Sequence, residues 1–174
     1  PVNEPQLIAG VGTYTLEILE DLPDVDVIIV PIGGGSGASG ACIVAKSINP
    51  QIKVIGVQSE QAPAVYLSWK EGEIVEAPMR SHAEGLATGS GYQTTLDILT
   101  EQLDDFVLVS DDEMDQAVIL HLENTHNLTE HAGAASLAGA VKIKDQLVGK
   151  KVVLIMSGGN LSMQQLKGLL EKHA

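Results

Sequence analysis

Val27-Ile28-Ile29-Val30-Pro31-Ile32-Gly33-Gly34-Gly35-Ser36-Gly37-Ala38-Ser39-Gly40 is the stretch that decides how the chain reads. Its first half is an unbroken apolar, β-branched run, the pattern of a strand buried on both faces rather than one. Five glycines follow within eight residues, and small residues then continue at helical spacing up to Asn49-Pro50, which stops the helix. A glycine-rich turn at the carboxyl end of a buried strand lets backbone N–H groups converge on an anion, and the helix that follows adds the positive end of its dipole. A tight strand-to-helix crossing also needs small residues, but not so many. The turn is therefore read as an anion cradle.

Working outward, three more apolar runs read as buried strands, Ile52–Gln58, Phe106–Ser110 and Lys151–Ser157, beside Val25–Ile32. Helical spacing occupies Ile8–Glu20, Ser36–Ile48, Ala62–Lys70, Ala132–Leu147 and Ser162–Lys172. A further helix, opened by a capping box at Ser110-Asp111-Asp112-Glu113, runs to about His126. Strand alternating with helix predicts an α/β fold: three layers, a mostly parallel sheet with helices on both faces. Ile74 to Thr94 has neither period, and a loop of that length inside a compact domain is usually functional. It contains Glu84-Gly85-Leu86-Ala87-Thr88-Gly89-Ser90-Gly91. No repeat or linker divides residues 1–174, which read as one domain.

Composition narrows the partners. Ten Lys and Arg against 23 Asp and Glu give a formal charge of −13, a field that repels nucleic-acid backbones and gives an anionic ligand no long-range help. Any phosphate must be held by local geometry. Hydrophobic residues make up 44% of the chain and aromatic ones only 3%, so Val, Ile, Leu and Ala build the core. One cysteine, Cys42, excludes an intrachain disulfide and suits a cytoplasmic location. No run is long and apolar enough for a membrane helix, so no membrane partner is expected. The chain opens on Pro-Val-Asn-Glu-Pro without a Met and reads as the later part of something longer.

Other motifs admit two readings each. Gly35, Gly37 and Gly40 fit G-x-G-x-x-G, and Glu60 follows twenty residues later, so an NAD-binding fingerprint competes with a different phosphate ligand. No Lys-Ser or Lys-Thr follows the glycines, which excludes a P-loop. Ser157-Gly158-Gly159-Asn160 closes the last strand, so Ser157 is expected at the same sheet edge as the cradle, with Asn160 near the cap of the last helix. His121, His126 and His131 are five apart and do not share a helix face, so no metal site is expected of them. Cys42 reads as a core thiol, and the Asp104-Asp105 and Asp111-Asp112 pairs as solvated ends and caps.

Taken in order, Ile8-Ala9-Gly10-Val11-Gly12-Thr13, Pro31-Ile32 with the Gly33–Gly37 loop, Ala83-Glu84-Gly85-Leu86-Ala87, Thr129-Glu130-His131-Ala132-Gly133-Ala134 and Ser157-Gly158-Gly159-Asn160 resemble the fold-type II pyridoxal-phosphate family. Within it they resemble the threonine/serine dehydratases, and the resemblance spans most of the chain. It implies a tryptophan synthase β-like large domain and pyridoxal 5′-phosphate as cofactor. The backbone around Gly33, Gly34, Gly35, Ser36 and Gly37 would hold the cofactor phosphate, and Ser157 would hydrogen-bond the pyridine nitrogen. A hydroxyl there leaves that nitrogen unprotonated, which favours prompt β-elimination. Glu130 resembles the family's acidic residue near the ring, and Glu84 and Gly85 would lie beside a small amino-acid substrate.

Two departures stand out. The family's Schiff-base lysine lies in a Ser-Phe-Lys-like motif that precedes the region where this chain begins, and none of Lys46, Lys53, Lys70, Lys142, Lys144, Lys150, Lys151, Lys167 or Lys172 has that context. Some relatives line a divalent-cation site with carboxylates where this sequence has Gln58 and Ala64, so no metal is expected there. The resemblance therefore implies the large-domain part of a lyase that eliminates water from L-threonine or L-serine to give a 2-oxo acid and ammonia. It carries no catalytic residue of its own and is expected to be inactive in isolation. Serine racemase and hydroxyaspartate dehydratase of the same family, an NAD-binding domain, and a non-catalytic fragment are the alternatives. Apolar surface left by the missing segment would favour a homo-oligomer.

Overall fold

The computed structural model describes residues 2–173. Four strands, β1 (Val27–Pro31), β2 (Lys53–Ser59), β3 (Asp105–Val109) and β4 (Val152–Leu154), form one sheet in the order β3-β2-β1-β4. Every pairing is parallel, with Ile29 level with both Ile55 and Leu154. All four carboxyl ends thus lie along one edge, where the glycine turn after β1 and the Ser157 turn after β4 become neighbours.

Alternation along β1 separates two cores. Ile28, Val30 and Ile32 pack with Ala38, Ala41, Cys42 and Leu99 on one face, while Val27 and Ile29 pack with Met114, Ala117, Ala134 and Ala138 on the other. The first face is covered by α1 (Pro5–Asp21), α2 (Ser36–Ile48), α3 (Ala64–Glu71) and α4 (Gln93–Gln102). The second is covered by α5 (Asp111–Thr125), α6 (His131–Lys142) and α7 (Met163–His173). With both sides covered, strand interiors are mostly apolar, which is why the strands read as runs rather than as alternating patterns. Cys42 is fully buried, and burial pushes its thiol up to about 12, as suits a core thiol. The predicted capping box opens α5: the Ser110 hydroxyl accepts from the Glu113 N–H at 3.1 Å, and the Glu113 carboxylate accepts from the Ser110 N–H at 2.6 Å.

Four expectations need correction. The stretch after Ile74 ends in a helix: α4 opens at Gln93, and no helix was predicted between Thr94 and β3. Its buried Thr95, Leu96 and Leu99 are too few to give a clear period. β4, one of the two edge strands, ladders only over Val152–Leu154; Ile155 adds one more bond to Ile29, at 3.0 Å, and beyond it the chain turns off into the Ser157 loop. The helix over Ala132–Leu147 ends at Lys142 and passes into a 3-10 turn over Lys144–Gln146, after which Gly149 takes φ 76°. The last helix is capped by Ser162, whose hydroxyl accepts from the Gln165 N–H at 3.2 Å, and not by Asn160. No helix among the described residues is long and apolar enough to cross a membrane.

Candidate active site

The glycine turn is held open by hydroxyls. Thr88 Oγ1 donates to the Gly33 carbonyl at 3.2 Å, Thr95 Oγ1 to the Gly34 carbonyl at 2.9 Å, and Tyr14 Oη to the Gly37 carbonyl at 2.9 Å. Burial pushes the Tyr14 phenol up to about 12, so it remains a donor. With three carbonyls turned toward hydroxyls, the N–H groups from Gly33 to Ala38 meet no acceptor among the described residues. They form the unpaired start of α2, where an anion is favoured. Gly35 takes φ 94° at the cap of α2, a conformation that residues with a Cβ rarely adopt. Thr95 and Tyr14 were not singled out from the sequence, and Thr88 only as part of the Glu84–Gly91 passage. They carry no local signature, since each reaches the loop from a distant segment.

The remaining motifs interlock through glycines. A Cβ on Gly33 would lie 2.3 Å from the Gly85 carbonyl oxygen, and one on Gly85 would lie 2.8 Å from Ala132 Cβ. A Cβ on Gly133 would lie 2.2 Å from the Gly158 carbonyl oxygen, and one on Gly158 would lie 2.2 Å from Glu130 Oε1. The segments carrying Gly33, Gly85, Glu130 and Gly158 are therefore packed closely, main chain against main chain at Gly33–Gly85 and Gly133–Gly158. Glu130 sits at the cap position of α6, and its N–H donates to the Gly158 carbonyl at 3.1 Å.

Two clefts result. One, of about 430 Å³, brings Ser36 and Gly37 opposite Ser157, with Thr13, Tyr14 and Met156 on its walls. Ser157 is exposed there. The other, of about 210 Å³, is lined by His82, Glu84, Glu130, His131, Asn160 and Gln165. Of the predicted residues, Ser36, Gly37 and Ser157 line the first cleft and Glu84 and Glu130 the second, while Gly33, Gly34, Gly35 and Gly85 line neither, Gly33 meeting the Gly85 backbone behind them. No lysine lines either.

The other readings fare differently. Gly40 is taken up by helix packing, since a Cβ there would lie 2.8 Å from the Gly12 amide of α1. Glu60 is exposed beyond the end of β2, with its N–H bonded to Val109. Gln58 is fully buried; its amide oxygen accepts from the Tyr66 N–H at 3.0 Å and its nitrogen faces Thr88 Oγ1 at 3.5 Å. Ala64 is buried as well, so no carboxylate stands at that position. The three histidines do not come together: His121 lies on α5, His126 ends it, and His131 opens α6, where it meets His82 and Asp115 instead.

Comparison with known proteins agrees with the geometry. Residues 1–158 match the family model described as pyridoxal-phosphate dependent enzyme. An L-threonine ammonia-lyase of Thermotoga maritima is 40% identical over 174 residues, covering 99% of this chain and 43% of the relative. A serine racemase of Dictyostelium discoideum is 39% identical over 175 residues, covering 98% of this chain and 54% of the relative. The crystal structure of processed threonine deaminase isoform 2 from Solanum lycopersicum superposes with a TM-score of 0.92 at 30% identity, over 99% of this chain and 51% of that one. The chain spans about half the length of the curated relatives it matches. With a family match over nearly its whole length and a parallel sheet of the same architecture, the chain belongs to the family of pyridoxal-phosphate dependent enzymes.

Proposed function

We propose that this chain is most of the large domain of an ammonia-lyase whose intact form eliminates water from L-threonine or L-serine. The observation that carries the reading is the row of unpaired N–H groups from Gly33 to Gly37, whose last two residues, Ser36 and Gly37, line one cleft with Ser157. In this reading the N–H groups of Gly33, Gly34, Gly35, Ser36 and Gly37 hold the cofactor phosphate, with the start of α2 behind them. The Ser157 hydroxyl donates to the pyridine nitrogen. Being a neutral donor, it leaves that nitrogen without a proton. Glu130 places its carboxylate on the ring side, against Gly158, and Glu84 with Gly85 borders the substrate. Pyridoxal phosphate bound there supplies the conjugated ring that draws electrons from the substrate's α-carbon, and an unprotonated ring favours prompt elimination over a long-lived carbanion.

The Schiff-base lysine, which also serves as the base for the α-proton, lies outside these residues in this reading, and the isolated chain turns nothing over. The likeness to a serine racemase supports a second substrate reading, racemisation of serine, and hydroxyaspartate dehydration is the third within the family. Self-association of copies in the cytoplasm belongs to the same proposal, with light scattering as its check.

The decisive experiment is binding of pyridoxine 5′-phosphate by calorimetry, because this analogue has no aldehyde to react with surface lysines. Binding should require the phosphate, compete with inorganic phosphate, and vanish in Gly37→Asp. Ser157→Ala should weaken binding while leaving stability within about 0.5 kcal/mol of the parent. Equal affinity for pyridoxine with and without its phosphate would overturn the cradle. Release of 2-oxobutanoate from L-threonine by the chain alone, with pyridoxal phosphate added, would overturn the placement of the lysine.

A further inference from the structure

Away from the glycine cradle, three side chains from three segments converge. His82 lies on the irregular stretch before Glu84, Asp115 in the second turn of α5, and His131 at the start of α6. His82 Nε2 is 3.0 Å and His131 Nε2 3.3 Å from the same oxygen, Asp115 Oδ1. All three ligand atoms lie within 4.8 Å of one another, and the imidazole centroids are 4.3 Å apart. A tetrahedral ion with bonds of about 2.0–2.1 Å separates its ligand atoms by about 3.3 Å; His131 Nε2 stands at that distance from the carboxylate oxygen, and His82 Nε2 is closer at 3.0 Å.

The surroundings are those of a ligand set. His82 presents its other ring nitrogen, Nδ1, to Asp111 Oδ2 at 3.3 Å. A neutral imidazole has one N–H, so it can satisfy only one of two flanking carboxylates. An ion at Nε2 with the proton on Nδ1 satisfies both, and a carboxylate behind a ligating histidine is the usual outer support. Asp111 is itself fixed by the hydroxyls of Ser81 at 2.7 Å and Ser59 at 3.1 Å. Lys172 donates to the far oxygen of Asp115, Oδ2, at 2.8 Å, orienting the carboxylate and leaving Oδ1 for the ion. Asp111, Asp112 and Asp115 outnumber that one ammonium, so a cation is welcome. Asp115 and His131 are buried, while His82 is exposed on a cleft of about 290 Å³.

We propose that His82, Asp115 and His131 bind a divalent transition metal of the zinc class, with the fourth position open to that cleft. Two imidazoles and a carboxylate suit such an ion and not magnesium or calcium, which take oxygen ligands. The site stands independently of the cofactor reading. It would nonetheless tie together the segments bearing Glu84 and Glu130, each within two residues of a ligand.

The test is equilibrium dialysis of the EDTA-treated chain against Zn²⁺, with Co²⁺ absorption reporting the coordination geometry. One zinc per chain, an intense tetrahedral cobalt spectrum and a melting temperature raised by zinc are expected. His82→Ala removes the most exposed of the three side chains, and should lower zinc affinity by more than the ~100-fold upper range for losing an outer-shell partner. Asp115→Asn should do the same, and His126→Asn should change nothing. Failure of the folded parent to retain zinc, or His82→Ala binding as the parent does, overturns the site.

Discussion

Replacing Gly133 by Ala tests whether close main-chain contact assembles the site. Gly133 lies in the first turn of α6, fully inside the structure, and faces the turn that carries Ser157. An added Cβ would lie 2.2 Å from the Gly158 carbonyl oxygen and 3.0 Å from its nitrogen. Real Cβ atoms stay beyond about 3.0 Å, so the turn must retreat by at least 0.8 Å, the difference between 3.0 and 2.2. The obstacle is backbone, which cannot rotate aside as a side chain can. Overpacking of this kind costs about 1–3 kcal/mol, against a helix-propensity gain of up to about 1 kcal/mol. Gly10→Ala is the matched control: Gly10 is exposed within α1, with nothing within 4 Å of an added Cβ. It should therefore stabilise by about 0.5–1 kcal/mol. Urea unfolding should separate the two variants by about 2 kcal/mol with opposite signs relative to the parent. In a melt, that separation is roughly 4–8 °C for a chain of this size. Displacement of Ser157 should also weaken pyridoxine 5′-phosphate binding in Gly133→Ala; Gly10 lines the same cleft and serves as the control for stability only. If Gly133→Ala unfolds at or above the parent's urea midpoint, the contact between α6 and the Gly158 turn is not what positions Ser157, and the reasoning fails.

Two further outcomes follow from single groups. Thr95→Val leaves the Gly34 carbonyl without its 2.9 Å donor, which should cost about 1–2 kcal/mol. It should also loosen phosphate-ligand binding, whereas a merely structural threonine would alter stability without altering that affinity. His121 is buried with no partner for Nδ1 among the described residues, and burial lowers its pKa below the ordinary 6.5. Its folded pKa is depressed, so the unfolded chain binds the proton more readily. The corresponding stability is complete above pH 6.5 and is lost as the pH falls below it toward the folded value. His121→Leu should flatten the decline in urea midpoint between about pH 7 and about pH 5; an unchanged decline assigns it to other groups.

Most of the fold was legible because both sheet faces are covered, so strands such as Val27–Ile32 announce themselves as apolar runs. The Gly33 turn was legible from its glycines, which leave a local trace where backbones must come close, whereas the motifs at Gly85, Glu130 and Gly158 were read from their order and their resemblance to a family. What escaped reading is what one segment does to another. α4 is short, and its helical stripe amounts to Thr95, Leu96 and Leu99. Thr88 and Thr95 reach the cradle across more than fifty residues of sequence, 55 and 61 respectively. The cluster of His82, Asp115 and His131 is likewise invisible along the chain. Spacing asks which residues share one helix, and these lie on three separate segments.

A cradle built from amides rather than cations has a consequence for salt. None of the ten basic residues lines the cleft shared by Ser36, Gly37 and Ser157, and the chain as a whole carries −13. A dianionic ligand is therefore attracted at short range by N–H dipoles and repelled at long range by the summed charge. Screening acts on the second effect first, because the Debye length falls from about 30 Å at 0.01 M to about 8 Å at 0.15 M while the N–H contacts lie well inside either distance. Affinity for pyridoxine 5′-phosphate should consequently hold or rise over that range of ionic strength, set with a bulky, weakly coordinating anion. A site resting on Lys or Arg would lose affinity over the same range. A fall in affinity with salt would place the phosphate beside a cation, and hence somewhere other than the Gly33–Gly37 turn.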